Sequence, residues 1–353
     1  MEASITKTPF GQLPDGRAAE LYTLTNRNGL IVKISDYGGV ITELHTLDRL
    51  GCLADIVLGF DDVAPYAQDS QYFGALIGRY GNRLRGGRFQ IDGQSWQLPV
   101  NNGGNHLHGG EDGYHKVLWR AIPFQETRSV GLTLIHRSPD GEQGYPGTLD
   151  VTVVYELNDD DELIVAFDAV TDKATPINLT QHSYFNLAAE GNILEHELTI
   201  NADHYTPIDS SLVPYGDIEP VAGKPFDFRT PHKIGERIDQ DDQQLRYGSG
   251  YDHNFVLNRT GDKVSVLAAR VKEPVSGRVL ELFTEEPGVQ FYSGNFLDGS
   301  LAGKGRQYVH RSGFCLEPQH FPDSPNNPSF PNTILRPGEV YATVSRFKFS
   351  VEL

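Results

Sequence analysis

Residues 149–170 read LDVTVVYELNDDDELIVAFDAV, two runs of alternating apolar and polar residues on either side of an acidic turn. Val151, Val153 and Tyr155 fall on one face of the first run if the chain is extended there. A period of two is typical of strands that bury one face. The segment therefore predicts an antiparallel hairpin that turns at 158–161.

The same alternation recurs along the whole chain, between turns rich in its 37 Gly and 21 Pro. Asp92-Gly93, for example, suits a type I′ turn because both central residues of that turn need positive φ. The predicted strands are 30–35, 40–47, 55–60, 88–91, 94–98, 132–137, 149–157, 162–170, 197–202, 264–271, 278–284 and 343–351. Helical periodicity is scarce: 232–238 is a candidate for one or two turns, and 72–84 is ambiguous because of its glycines. We expect an all-β fold, a large antiparallel sandwich of two sheets with few short helices.

The length of 353 residues allows two domains, but large β sandwiches also reach this size as one. No composition shift and no fixed-period repeat marks a boundary, so we expect a single domain over 1–353. The two cysteines are too few for a disulfide framework.

The net charge of −17 argues against nucleic acids and anionic membrane surfaces as partners, because both recruit Lys and Arg. No apolar run approaches the roughly 20 residues of a membrane span, and no signal peptide is visible. The sequence also lacks a P-loop, a dinucleotide-binding glycine motif, a nucleophile elbow and a Cys-x-x-Cys pair. We expect a cytoplasmic protein with a neutral or weakly polar ligand.

Six segments carry more polar side chains than strands require. They are 78–83 (GRYGNR), 101–110 (NNGGNHLHGG), 178–187 (NLTQHSYFNL), 251–255 (YDHNF), 286–296 (EPGVQFYSGNF) and 314–322 (FCLEPQHFP). Together they supply His, Glu, Asp, Arg, Asn and Gln beside aromatic rings. That combination suits a neutral polyhydroxylated ligand, which needs many hydrogen bonds and an apolar surface for one ring face.

Glu317 is the most unusual residue of these segments because it follows the apolar run 314–316, which predicts a buried strand. A buried carboxylate is costly unless it is hydrogen-bonded or functional. Burial would raise its pKa and make the ionised form a stronger base. His182 would supply an acid, although a lone histidine is more often a hydrogen-bonded core residue.

Other polar residues have ordinary interpretations that the sequence leaves open. Asp252 suits an Asx turn, Arg83 suits a surface ion pair, and Gln290 suits the start of a strand after a Pro-Gly turn.

A metal site is the less favoured interpretation of the His106-x-His108 pair. On a strand this spacing places both imidazoles on one side. Further ligands would have to come from His182, Asp252 or Glu317, so the set is incomplete. The alternative is a glycine-rich loop with one hydrogen-bonded histidine.

In their order along the chain, the six segments resemble those of the aldose 1-epimerase family. The motifs are GRYGNR, NHLHGG, HSYFNL, YDHNF, EPGVQFY and the segment around Glu317, with a weaker match at 36–39. The resemblance implies a β supersandwich, no metal and no organic cofactor. It also implies an isomerase that interconverts the α and β anomers of aldohexoses such as galactose and glucose.

The resemblance assigns a role to each matching residue. Glu317 is similar to the general base at the C1 hydroxyl, His182 to the general acid at the ring oxygen, and His108 to a second imidazole beside it. The remaining matches are hydrogen-bonding residues for the sugar hydroxyls, Asn82, Arg83, Asp252 and Gln290, and a residue lining the site, Tyr184. One departure is Gln181, where many relatives have Asn, and on a strand it would point away from the site.

Two alternative functions remain open at the level of sequence. One is a non-catalytic sugar-binding sandwich, which would need neither Glu317 nor His182. The other is an epimerase of hexose phosphates, which would need a cationic pocket. In every case the expected partner is a small sugar, with the chain a monomer or a homodimer.

Overall fold

The computed structural model describes residues 2–68 and 71–353, whose regular structure is mostly β-strand. The first five strands make one sheet in chain order: β1 (Ser4–Gln12), β2 (Ala18–Thr25), β3 (Ile31–Ser35), β4 (Ile41–Leu47) and β5 (Leu53–Asp55). Helix α1 (Val63–Gln68) and five short strands follow: β6 (Ala75–Ile77), β7 (Arg83–Leu84), β8 (Arg88–Ile91), β9 (Gln94–Gln97) and β10 (His106–Leu107).

The middle of the chain contributes strands β11 to β21. They are β11 (Arg120–Gln125), β12 (Ser129–Ser138), β13 (Leu149–Asn158), β14 (Glu162–Thr171), β15 (Thr175–Pro176), β16 (Thr180–His182), β17 (Tyr184–Phe185), β18 (Glu197–Ile200), β19 (His204–Thr206), β20 (Glu219–Pro220) and β21 (His232–Lys233).

Helix α2 (Gln243–Gly248) opens the last part of the chain. Its strands are β22 (Asp252–Val256), β23 (Val266–Lys272), β24 (Arg278–Thr284), β25 (Gly288–Tyr292), β26 (Ala302–Gly303), β27 (Arg306–Gln307), β28 (Phe314–Gln319), β29 (Ile334–Leu335) and β30 (Tyr341–Val351). Short 3₁₀ turns lie at Arg85–Gly87, Tyr114–Lys116, Glu142–Gly144, Ile234–Glu236 and Ser324–Asn326. Among the described residues, no helix is long and apolar enough to cross a membrane.

Two layers of antiparallel sheet face each other across the main core. One layer is a nine-stranded sheet in the order β11-β12-β13-β14-β30-β24-β23-β18-β21. The other joins the five-stranded sheet to a six-stranded sheet, β17-β28-β25-β22-β19-β20, through a bridge between Val57 and Phe185. Phe185 also packs on Phe347 of the nine-stranded sheet, with 5.8 Å between ring centroids. This arrangement confirms the predicted all-β supersandwich, with the second expected sheet divided in two.

Alternation in the six-stranded sheet separates a core face from a polar face. Phe291 and Leu316 pair across β25 and β28 and point into the main core. The adjacent pair, Gln290 and Glu317, points to the opposite side because successive side chains of a strand alternate. The sheet thus anchors a row of polar side chains by burying the residues between them.

Most of the predicted strands are confirmed, including the hairpins at 88–98, 149–170 and 264–284. The ambiguous segment 72–84 contains β6 and β7, and 232–238 forms β21 and a 3₁₀ turn. The prediction of a strand at 55–60 was wrong. The strand ends at Asp55 because its carboxylate accepts the backbone N–H groups of Leu44 (3.1 Å) and Val57 (3.2 Å).

Candidate active site

The polar face of the six-stranded sheet brings together three of the predicted residues. Glu317 on β28 lies opposite Gln290 on β25. Gln290 Nε2 donates a hydrogen bond of 2.8 Å to Oδ1 of Asp252 on β22. Asp252 therefore begins a strand and does not form the Asx turn that the sequence left open. Likewise, Gln290 lies inside β25 and does not cap it.

A further amide on the same face, that of Gln319, holds Gln290 in one orientation and is itself bonded to Asn254. Gln319 Nε2 donates to Gln290 Oε1 (3.2 Å) and to Asn254 Oδ1 (3.2 Å). Because the Gln290 oxygen faces a donor, its NH₂ group must face Asp252. Sequence reasoning did not single out Gln319 and Asn254. Their spacing of two residues from Glu317 and Asp252 was the available signal, since it places them on the same face.

His182 reaches Glu317 from a different sheet. It ends β16, which pairs with β6, and its Nε2 lies 3.5 Å from Glu317 Oε2. Both side chains are almost fully buried, at 5% and 3% exposure. The imidazole lies nearly parallel to the ring of Tyr184, with centroids 5.2 Å apart. Gln181 bonds instead to Gly74 O (2.9 Å).

Asn82 and His108 lock each other in place beside His182. Both have positive φ, +63° and +51°, which turns the chain sharply after Gly81 and before Gly109. The Asn82 N–H donates to His108 Nδ1 (3.0 Å), and the His108 N–H donates to Asn82 O (3.1 Å). Because Nδ1 accepts a hydrogen bond, neutral His108 carries its proton on Nε2.

Arg83 is buried in the same cluster, so the interpretation as a surface ion pair was wrong. Its Nε donates to Asn102 Oδ1 (3.1 Å). Its guanidinium is close enough to lower the pKa of both Glu317 and Asp252, although burial raises both more strongly. Arg83 is thus a buried cation whose charge acts on the buried Glu317 carboxyl group and the partly buried Asp252 carboxyl group.

Burial dominates the proton affinities of the central pair. It raises the pKa of Glu317 well above its ordinary value, and the nearby Asp252 carboxylate adds to the effect. It lowers the pKa of His182 to about 4. Each shift disfavours the charged form of its group.

The structure does not support a His106–His108 metal pair, which the sequence favoured less than a glycine-rich loop with one hydrogen-bonded histidine. Strand β10 ends at Leu107, and the positive φ of His108 breaks the alternation that would place both imidazoles on one side. His106 points elsewhere, with Nδ1 at 2.6 Å from Pro99 O and Nε2 at 2.7 Å from the Tyr145 hydroxyl. Both of its nitrogens are therefore occupied.

A different set of side chains is close enough to share an ion. One ligand atom from each of His108, His182 and Glu317 lies within 4.8 Å of the others. The same three groups are the ones that the sequence resemblance assigns to proton transfer.

Tyr72 and His115 lie near the cluster and were missed by sequence reasoning. Tyr72 packs edge-on against His108 and His115, with centroids 4.7 and 4.8 Å away. It also lies at 5.9 Å from His182 with an interplanar angle of 27°. Tyr72 precedes the first glycine motif by several residues, and its positive φ is not visible in the sequence.

A separate surface groove lies away from these residues. It has a volume of about 1110 Å³ and is lined by Glu286, His320 and Phe330, among others, but by none of the predicted site residues. The convergence of buried ionisable groups, and not the size of a cavity, therefore locates the candidate site.

The sequence model of aldose 1-epimerases matches residues 20–348. The chain belongs to the aldose 1-epimerase family. Its fold agrees with that membership: a galactose 1-epimerase structure from Lactobacillus acidophilus NCFM superposes with a TM-score of 0.89 at 28% identity, over 100% of both chains.

Curated members of the family are similar over nearly the whole sequence. The galactose mutarotase of Homo sapiens is 48% identical over 352 residues, 99% of each chain. The aldose 1-epimerase of Escherichia coli (strain K12) is 38% identical over 342 residues, 96% of this chain and 97% of its own. As an aldose 1-epimerase, the chain is an enzyme of the isomerase class, which confirms the sequence-based assignment.

Proposed function

We propose that this aldose 1-epimerase interconverts the α and β anomers of aldohexoses such as galactose and glucose. The observation that carries the proposal is the buried pair Glu317 and His182, whose side chains approach to 3.5 Å. Mutarotation needs a base and an acid acting on two oxygens attached to one carbon. The relatives named for galactose support galactose as one substrate.

Glu317 acts as the base on the C1 hydroxyl. Its carboxylate takes that proton, the electrons of the O–H bond form the C1 carbonyl, and the bond from C1 to the ring oxygen breaks. A hydrogen bond from the substrate hydroxyl stabilises the charged carboxylate, which offsets part of the cost of its burial.

His182 supplies the proton that the ring oxygen takes up as this bond breaks. Rotation about C1–C2 then presents the other face of the carbonyl. On reclosure the imidazole takes its proton back, and the Glu317 carboxyl group returns a proton to O1. The enzyme ends in its starting protonation state, as a catalyst must. A positioned acid or base contributes roughly 10²- to 10⁴-fold.

The other predicted residues bind and orient the sugar. His108 donates from Nε2–H near the ring oxygen, since its Nδ1 is held by the Asn82 backbone. The sugar hydroxyls are recognised by Asn82, Arg83, Asp252 and Gln290. Tyr184 lines the site through its ring, because its hydroxyl donates to Gln71 O (2.8 Å).

Several finer points belong to the same proposal. The chain acts as one domain, as a monomer or homodimer, in the cytoplasm, and needs neither metal nor organic cofactor. Both cysteines are free thiols, which is typical of proteins in a reducing compartment. Activity that persists in EDTA would support the metal-free part of the proposal, and activity restored only by added metal would contradict it.

A comparison of substrates separates the proposed function from its alternatives. The initial rate of optical-rotation change is measured for α-D-glucose, α-D-galactose and glucose 6-phosphate, and sugar binding is measured by calorimetry. We expect fast conversion of the neutral hexoses. Binding without acceleration would indicate a sugar-binding protein, and a preference for glucose 6-phosphate would indicate a hexose-phosphate epimerase.

A further inference from the structure

His182 is held mainly by ring packing and not by hydrogen bonds. Within the described part of the chain, its Nδ1 has no hydrogen-bond partner, and its Nε2 lies 3.5 Å from Glu317, beyond a usual hydrogen bond. By contrast, both nitrogens of His106 are bonded, and His108 is bonded to Asn82. The direction of the His182 ring therefore depends on its neighbours.

Two tyrosine rings lie nearly parallel to the His182 imidazole. Tyr184 is 5.2 Å away with an interplanar angle of 20°, and Tyr72 is 5.9 Å away with an angle of 27°. Tyr184 belongs to β17, which the register with β28 fixes. Tyr72 lies outside the strands, so its contribution is separable from the sheet.

Tyr72 is itself held firmly on its other sides. The rings of His108 and His115 meet it edge-on at 4.7 and 4.8 Å, an arrangement that aromatic groups favour. Both histidines are buried, whereas Tyr72 is partly exposed. The tyrosine therefore forms the outer side of the imidazole cluster, in which His108 also meets the His182 ring edge-on at 5.1 Å.

We propose that Tyr72 is a positioning residue that keeps the His182 imidazole aligned with Glu317 and with the substrate ring oxygen. The proposal deepens the proposed mutarotase function and rests on it. A flat ring restricts rotation of the imidazole about its last side-chain bond, which no hydrogen bond to Nδ1 restricts. Small misplacements of a reacting group can cost about 10²-fold in rate.

The kinetic test compares Tyr72→Leu, Tyr72→Met and Tyr72→Phe with the unchanged enzyme. We expect Leu and Met to lower kcat about 10- to 100-fold with KM within about threefold, because alignment matters most in the reaction step. Phe, which keeps the ring, should recover most of kcat. The matched control is Tyr215→Leu, a half-exposed tyrosine outside the cluster, with kinetics like the unchanged enzyme.

Three kinetic outcomes would overturn the proposal. One is an unchanged kcat in Tyr72→Leu and Tyr72→Met. Another is an equal loss of kcat in all three variants, which would assign the effect to the hydroxyl group. A rise in KM alone would also contradict positioning, since it would indicate a role in binding the sugar.

An NMR comparison keeps the proposal testable without activity. The His182 ring-proton resonances are assigned with the His182→Asn variant and followed in the ligand-free enzyme. We expect them to shift or broaden in Tyr72→Leu and to stay near their original positions in Tyr72→Phe. If the unchanged enzyme accelerates mutarotation no more than buffer does, the proposed function is wrong. If the His182 resonances do not change in Tyr72→Leu, only the positioning role of Tyr72 is contradicted.

Discussion

Glu317 Oε2 and His182 Nε2 approach to 3.5 Å although the two residues belong to different sheets. Glu317 lies on β28 of the six-stranded sheet, and His182 ends β16, which pairs with β6. Tyr184 of β17, two residues after His182, pairs with Cys315 of β28, two residues before Glu317, so the antiparallel register brings His182 opposite Glu317. Substitutions of either residue should therefore lower the reaction rate while the protein remains folded.

The stability of the enzyme relative to Glu317→Gln should fall as pH rises. Burial raises the folded-state pKa of Glu317 well above 4.5, so its protonated form is the one that folding favours. That contribution is fully present below the unfolded-state pKa and is lost as pH rises through the folded-state pKa. Urea unfolding of both proteins at pH 5 and pH 8 measures it. A pH-independent difference between them would contradict the assignment.

His182→Asn should lose about 10²- to 10⁴-fold in kcat and remain folded, because Asn cannot exchange a proton with the ring oxygen. The matched control is His106→Asn, also buried but bonded to Pro99 and Tyr145 away from the site. We expect that variant to lose about 1–3 kcal/mol of stability and to keep its kcat. Kinetics and circular dichroism check both, and a His182→Asn enzyme of nearly normal rate would remove this residue from its role.

Gln319→Met should raise KM about 3- to 30-fold, with a smaller effect on kcat. The change removes the N–H donor that holds Gln290 Oε1, so the Gln290 amide is no longer directed at Asp252. Gln307→Met is the control, since that amide donates to Gly299 O on the exposed surface. Equal KM values for the two variants would show that the buried amides do not orient the sugar-binding groups.

Arg83→Gln should lower kcat/KM about 10- to 100-fold, as the loss of a charged hydrogen-bonding group does. Because the Arg83 cation lowers the pKa of Glu317, its loss should also move the acid limb of the pH–rate profile, where the Glu317 base becomes protonated, to higher pH. Arg85→Gln, which removes an ion pair with Asp209 nearer the surface, serves as the control. A profile that does not move would show that the Arg83 charge does not act on Glu317.

The sheet framework was predictable because each strand with one buried face leaves a period of two in the sequence. The hairpin at 149–170 and the burial of Glu317 after an apolar run are examples. The strand predicted at 55–60 was wrong because a local hydrogen bond of the Asp55 carboxylate ends the strand there. Alternation alone does not record such side-chain bonds.

The contacts between segments were not predictable from periodicity. In a strand, the side chains of residues i and i+2 point to the same side. The positive φ of His108 breaks this alternation, so the His106 and His108 side chains point in different directions. Tyr72 is close to three imidazoles only in three dimensions. Such contacts depend on tertiary packing. The motif resemblance implied a common site only for the residues that match the family motifs, and Tyr72 is not one of them.

The most direct test of the central claim is polarimetry of freshly dissolved α-D-galactose in the presence of EDTA. The rate of approach to the equilibrium rotation is compared for the unchanged enzyme, Glu317→Gln and buffer. We expect the enzyme to accelerate it strongly and Glu317→Gln to retain only about 10⁻² to 10⁻⁴ of that acceleration, while staying folded. An enzyme no faster than buffer, or a folded Glu317→Gln variant as fast as the enzyme, would contradict the account.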